Sequence, residues 1–163
     1  MHEPHTGTEK GFDYDYLTDF ILLGTNMCCL EGYAEELLTK DVRADISLEQ
    51  ERIDNPTGVE FFLWLPVVDA HAPTQEQLAM GAQALAHFTQ QGIRAYVHCK
   101  NGHGRAPTLV AAYFISTGMT PQEAIAAIVL KRPSVHPNEE QRTALETFWK
   151  RTHPEAPHKE PGQ

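Results

Sequence analysis

Three residues of this 163-residue chain could do chemistry together: Cys99, Arg105 and Asp69. Cys99 follows the apolar run Ala95-Tyr96-Val97 and His98, and precedes Lys100-Asn101-Gly102-His103-Gly104-Arg105-Ala106-Pro107. A phosphate dianion needs several donors converging on its oxygens. The backbone amides of Lys100 through Arg105 can wrap one point if some residues take positive φ, and Gly102 and Gly104 supply that freedom. A helix starting at Arg105 adds unpaired amides and the positive end of its dipole. Pro107 fits the first turn of such a helix. Arg105 contributes a planar fork that matches two phosphate oxygens. The same positive field makes Cys99 a thiolate at neutral pH and an effective nucleophile. The chemistry implied is covalent phosphoryl transfer through cysteine.

Attack on phosphorus expels an alkoxide or phenoxide, which needs a proton. Asp69, in the loop after a second apolar run, is the candidate acid, and the same carboxylate could later activate water. His71 reads as a rim residue. Asp41, Asp45 and Asp54 read as turn or solvated-face residues. His98 reads as a structural brace, because a thiolate needs no general base. Lys100 could meet a second phosphate or stand as a solvated rim charge, and His103 could add charge near the pocket.

These groups need elements to hold them. Phe20–Gly24 reads as a short strand, Cys28–Lys40 as a helix, and Val42–Leu48 as a strand. Asp54–Gly58 carries a turn signal. The near-continuous apolar run Val59–Leu65 reads as a central strand covered on both faces. Thr74, with Gln77 three residues on, forms a capping box, and Gly92 ends that helix. Next come the strand into Cys99 and helices at Arg105–Thr117, Pro121–Leu130 and Asn138–Lys150. Strands alternating with helices imply an α/β fold, a mostly parallel central sheet flanked by helices. Ligands in such sheets sit at strand carboxyl ends beside helix N-termini, where the Cys99 loop falls.

Hydrophobic content of 41% and charged content of 21% describe one globular domain. Residues 13–151 read as that domain, between polar tails at 1–12 and 152–163. The tail histidines His2, His5, His153 and His158 read as solvated residues rather than metal ligands. A formal charge of −9 argues against nucleic acid and against stable membrane association. The start of the chain has no secretory signal pattern. With the odd count of three cysteines, it points to a reducing, cytoplasmic setting. Cys28 and Cys29 have no zinc-ligand spacing, so no metal is expected there. One is expected buried and the other partly exposed, with a redox role as the minority reading.

The segment His98-Cys99 to Arg105, with five residues between cysteine and arginine, resembles the signature of the cysteine-dependent protein tyrosine phosphatases. The compact size, Asp69 thirty positions before Cys99, the opening Leu17–Gly24 and the segment Lys131–Asn138 resemble the dual-specificity branch. The resemblance spans roughly residues 14–149. It implies a two-step reaction through a phosphocysteine without metal or other cofactor. It also implies a supporting role for Asn138 as a brace of the phosphate loop. One departure stands out: Ala106 replaces the usual Ser or Thr, whose hydroxyl stabilises the departing thiolate. That implies slower breakdown of the phosphoenzyme, by an interaction worth about 1.5–3 kcal/mol.

The leading expectation is a protein phosphatase acting on phosphotyrosine, with phosphoserine or phosphothreonine as further substrates. Two alternatives stand beside it. One is a phosphatase of a phosphoinositide, nucleotide or sugar phosphate; the other is a phospho-binding adaptor of low turnover.

Overall fold

The structure is a computed structural model that describes residues 12–30 and 32–155. Most of the two expected tails lies outside the described residues, as do His2, His5 and His158. The elements run β1 (Tyr14–Tyr16), β2 (Ile21–Gly24), α1 (Glu35–Thr39), β3 (Val42–Glu49), β4 (Phe61–Val67), α2 (Gln75–Gln90), β5 (Arg94–His98), α3 (Arg105–Ser116), α4 (Pro121–Lys131) and α5 (Glu139–Thr152). The five strands form one sheet in the order β1-β2-β5-β3-β4. Every pairing is parallel except β1 with β2.

Period-2 alternation along the strands separates two cores. Ile21, Leu23, Ile46, Ala95 and Val97 face a large cluster with α2, α3, α4 and α5. Leu22 and Tyr96 face the opposite way, toward Cys28, Cys29, Tyr33 and Leu37, and Val42 joins them across a register shift between Val42 and Ala44. Helix α3 is the spine of the larger core: every residue from Arg105 to Ile115 is buried. Gly81 lets α2 approach it, since a Cβ there would meet the Leu109 side chain at 2.3 Å.

The capping box of α2 forms as expected, with Thr74 accepting from the Gln77 amide. Two expectations are corrected. The apolar run ending near Leu65 is the edge strand β4, not a central one, and Phe61, Phe62 and Trp64 are partly exposed. Pro66 within it lacks an amide donor, which suits an edge. The central position belongs to β5, which delivers Cys99. The helix expected over Cys28–Lys40 shrinks to a single 3₁₀ turn at Asn26–Cys28 and the five residues of α1. Gly32, at φ +102°, separates them.

Candidate active site

Strand β5 ends at His98, its neighbours β2 and β3 pairing with it there through Gly24 and Ser47. Cys99 is the next residue, and the loop to Gly104 closes on the N-terminus of α3. A cavity of about 220 Å³ opens over this loop, lined by Cys99, Asn101, His103, Gly104, Arg105, Asp69, Ala70, His136, Asn138 and Gln141. The nucleophile, the fork and the acid anticipated from sequence therefore share one cavity.

Gly102 takes φ +68°, and a Cβ there would stand 2.8 Å from the Gly24 carbonyl oxygen. Positive φ and space both require glycine at that position. Gly104 differs from expectation. Its φ is −128°. Its need is room, because a Cβ would lie 3.0 Å from Gln141 Nε2. The outer side of the loop is clamped by buried Arg132. That side chain donates from Nε to the Gly102 carbonyl at 3.2 Å and from Nη2 to the Asn101 carbonyl at 3.3 Å. The same guanidinium pairs with Asp15 at 2.7 Å and Asp13 at 3.1 Å, tying the loop to β1.

Arg105 is 2% exposed in its side chain and is held in place before any substrate arrives. Its Nη1 and Nη2 donate to the two Glu51 oxygens, each at 2.8 Å, and Nη1 also donates to the Val67 carbonyl at 2.8 Å. Burial opposes charge on this guanidinium, but Glu51, Cys99 and Asp69 outweigh it and raise its pKa. The Arg105 hydrogen bonds in turn hold the Glu51 carboxyl below its ordinary range. Asp69 Oδ1 stands 3.4 Å from Arg105 Nη2 and accepts from the Ala70 amide at 2.9 Å, leaving a carboxylate 75% exposed at the mouth.

Several expected roles move. Lys100 lines not this cavity but an adjoining recess of about 560 Å³, with Arg52, Gln50, Glu51 and Asp69. Asn138 braces the acid loop rather than the phosphate loop: it caps α5 and its Nδ2 donates to the Ala70 carbonyl at 2.6 Å. Gln141 reinforces the same tie by donating to the His71 carbonyl at 3.1 Å. His71 is exposed, with Nδ1 3.3 Å from Glu140 Oε1. Thr108 does not replace the hydroxyl missing at Ala106, because its Oγ1 donates to the Gly104 carbonyl at 2.7 Å.

Asp45 and Asp54 are not solvated: both are buried around His98. His98 Nε2 lies 3.1 Å from Asp45 and 3.2 Å from Asp54, and Nδ1 lies 3.6 Å from Glu49. Burial opposes charge on the ring, yet these carboxylates prevail and push its pKa well up. The ring is thus surrounded by side-chain carboxylates, not by the nearby backbone groups expected of it. Cys28 and Cys29 are both buried beneath it, correcting the expectation of one partly exposed thiol, and they are joined as a disulfide. Sequence reasoning missed Glu51 and Arg132, whose partners lie dozens of residues away, and Gln141, which the local capping box with Asn138 could have signalled.

The family model for the DSP-PTPase phosphatase domain of the Swiss Army Knife proteins (PTP-SAK) matches residues 34–156. The chain belongs to this family. Among curated relatives, human phosphatidylglycerophosphatase and protein-tyrosine phosphatase 1 is 38% identical over 94 residues, 57% of this chain and 47% of that protein. Zebrafish dual specificity protein phosphatase 22-B is 34% identical over 89 residues, 52% of this chain and 49% of that protein. The chain spans about half the length of the curated relatives it matches. The crystal structure of PTPMT1 in complex with PI(5)P superposes with a TM-score of 0.75 at 31% identity, covering 88% of this chain and 99% of that one. The match places the chain in the cysteine-dependent protein tyrosine phosphatase superfamily, in the dual-specificity branch that the loop motif resembles.

Proposed function

We propose that the chain hydrolyses phosphomonoesters of polar alcohols, of the glycerol or inositol class, through a phosphocysteine at Cys99. The observation that carries the reading is the shared cavity, with the thiol at the end of β5, the Arg105 fork already oriented by Glu51, and Asp69 at the mouth. The loop amides and Arg105 receive the phosphoryl oxygens, which fixes phosphorus above the sulfur. The Cys99 sulfur attacks, the P–O bond to the alcohol breaks, and Asp69 gives its proton to the leaving oxygen. Asp69, now a carboxylate, takes a proton from water as the water attacks phosphorus. The S–P bond then breaks and inorganic phosphate leaves.

The pocket walls support the choice of alcohol. Among the described residues no Phe, Tyr or Trp lines the cavity, whereas hydroxyls would meet Asn138, Gln141 and the polar edges of His103 and His136. The PI(5)P complex of PTPMT1 and the name of the human relative support the same class. Phosphotyrosine is the second reading, supported by the protein-tyrosine and dual-specificity names of the relatives. A charge of −9 disfavours docking on an anionic bilayer, so water-soluble forms of the substrate should be preferred over vesicle-borne ones.

Phosphate release from short-chain phosphatidylglycerophosphate, a soluble inositol phosphomonoester and a phosphotyrosine peptide tests this, with Cys99→Ser as control. The proposal expects higher kcat/KM on the polar alcohols and no turnover in Cys99→Ser. Preference for the peptide would establish the second reading instead. Phosphopeptide retention without turnover on any substrate would leave the adaptor.

A further inference from the structure

Directly beneath the phosphate loop, on the other face of the sheet, lies a cluster the proposed reaction does not use. Cys28, Cys29, Asp45 and His98 each offer one ligand atom, all within 4.8 Å of one another, and none of the four residues is more than 1% exposed. We propose that these four residues, with the cysteines as thiolates, form a buried site for a divalent cation of the zinc class, bound through two sulfurs, His98 Nε2 and the Asp45 carboxylate.

The donor set is the first argument. Two thiolates, one imidazole and one carboxylate suit a borderline-soft tetrahedral cation. The spacing is the second. With Zn–S near 2.3 Å and Zn–N and Zn–O near 2.0–2.2 Å, tetrahedral geometry sets sulfur and nitrogen about 3.6 Å apart and nitrogen and oxygen about 3.4 Å apart. Cys29 Sγ stands 3.7 Å from His98 Nε2, and Asp45 Oδ2 stands 3.1 Å from it.

Unpartnered atoms are the third. Nε2 faces Asp45, Asp54 and Cys29 at once, and a single proton there can serve only one acceptor. Among the described residues Asp54 Oδ2 accordingly has no hydrogen-bond partner, and neither do His98 Nδ1 or Glu49 Oε1, which face each other across 3.6 Å. A cation on Nε2 would fix the proton on Nδ1 and aim it at Glu49. That is the usual carboxylate support of a metal-bound histidine. Glu49 is itself held by Asn26 at 3.1 Å, and Tyr33 donates to the other Asp45 oxygen at 3.2 Å.

The pair is oxidised in the structure, so binding requires reduction. A phosphine or thiol reductant delivers two electrons and the pair takes up two protons, breaking the S–S bond. Metal binding then releases both thiol protons and the Nε2 proton. Cytosolic thiols keep vicinal cysteines reduced, whereas an oxidising setting would exclude the metal. Because His98 immediately precedes Cys99, the cation would anchor the end of β5 that presents the nucleophile.

The test uses the full chain purified with a phosphine reductant, its three thiols verified by titration after denaturation. Metal content, Zn²⁺ and Co²⁺ titration and X-ray absorption are then measured. The expected result is one cation per chain, two sulfurs at about 2.3 Å and two lighter ligands at about 2.0–2.2 Å. Cobalt should show thiolate charge-transfer and tetrahedral visible bands. Glu49→Gln should weaken binding by roughly 10–100-fold. Cys99→Ser should leave stoichiometry and spectrum unchanged, which separates this site from the catalytic thiol. Cys28→Ser and Cys29→Ser should each lose binding, and the wild-type spectra decide the matter if either fails to fold. Fully reduced protein that neither retains nor takes up a cation would overturn the proposal. So would sulfur ligation that disappears in Cys99→Ser.

Discussion

At the residue scale, the fork is built before the substrate binds. Glu51 holds both terminal nitrogens of Arg105, and its own carboxyl is held below the ordinary value of 4.5. A carboxyl depressed in the folded state adds stability that is present above its unfolded pKa and lost as pH falls through the folded one. Urea midpoints measured across the acid range should therefore fall more steeply in wild type than in Glu51→Gln; parallel curves would contradict the pairing. Glu51→Gln should also raise KM for phosphomonoesters, since the guanidinium loses its orientation. Asp69→Asn should lower kcat by roughly 10²–10⁴ on alkyl phosphates, where the leaving oxygen must be protonated. The loss should be far smaller on para-nitrophenyl phosphate, whose leaving group departs unaided. Equal losses on both would remove Asp69 from the acid role. Ala106 marks the chain's departure from the family pattern, and Thr108 is committed to Gly104. Ala106→Ser should speed phosphoenzyme breakdown by roughly 10–100-fold, matching one hydrogen bond to a charged sulfur. Stopped-flow would show this as a smaller burst and a faster steady state.

At the element scale, two glycines set limits that no other residue meets. Gly102→Ala would force a Cβ against the Gly24 carbonyl and hold a side-chain residue at φ +68°, which alone costs about 1–2 kcal/mol. Phosphate affinity should fall while the thermal midpoint drops only slightly, because the loop can shift without disturbing the core. Gly81→Ala acts on the α2–α3 contact instead. Overpacking against Leu109 costs typically 1–3 kcal/mol, more than the gain of about 1 kcal/mol in helix propensity. A urea midpoint that rises in Gly81→Ala would contradict this packing. The edge position of β4 is a lesson at the same scale. An apolar run states that a strand is buried somewhere, and only Pro66 hinted that it closes the sheet rather than crossing its middle.

At the scale of the whole molecule, what was legible in the sequence was what is local. The strand–loop–helix around Cys99, the capping box at Thr74 and the alternation of strands with helices all depend on neighbours within a few residues. That Asp69 lies on the same sheet edge as Cys99 was also legible, because parallel strands bring their carboxyl ends to one edge; its contact with Arg105 was not. The remainder is assembled from distant partners. Glu51 meets Arg105 across 54 positions, Arg132 meets Asp15 across 117, and Asp45 meets His98 across 53. A buried aspartate and a solvated one look alike until the fold supplies the histidine that needs it. The cluster beneath the loop was invisible for the same reason, since Cys28 and Cys29 show no ligand spacing of their own.

The central claim is that phosphorus passes through Cys99, and rapid acid quench of a turning-over reaction tests it most directly. Peptide mapping by mass spectrometry of wild-type protein quenched with substrate present should place one phosphoryl group on the Cys99 peptide. It should be absent from Cys99→Ser, and Ala106→Ser should reduce its amount. Turnover without any phosphorylated cysteine, or with an unchanged rate in Cys99→Ser, would contradict the account.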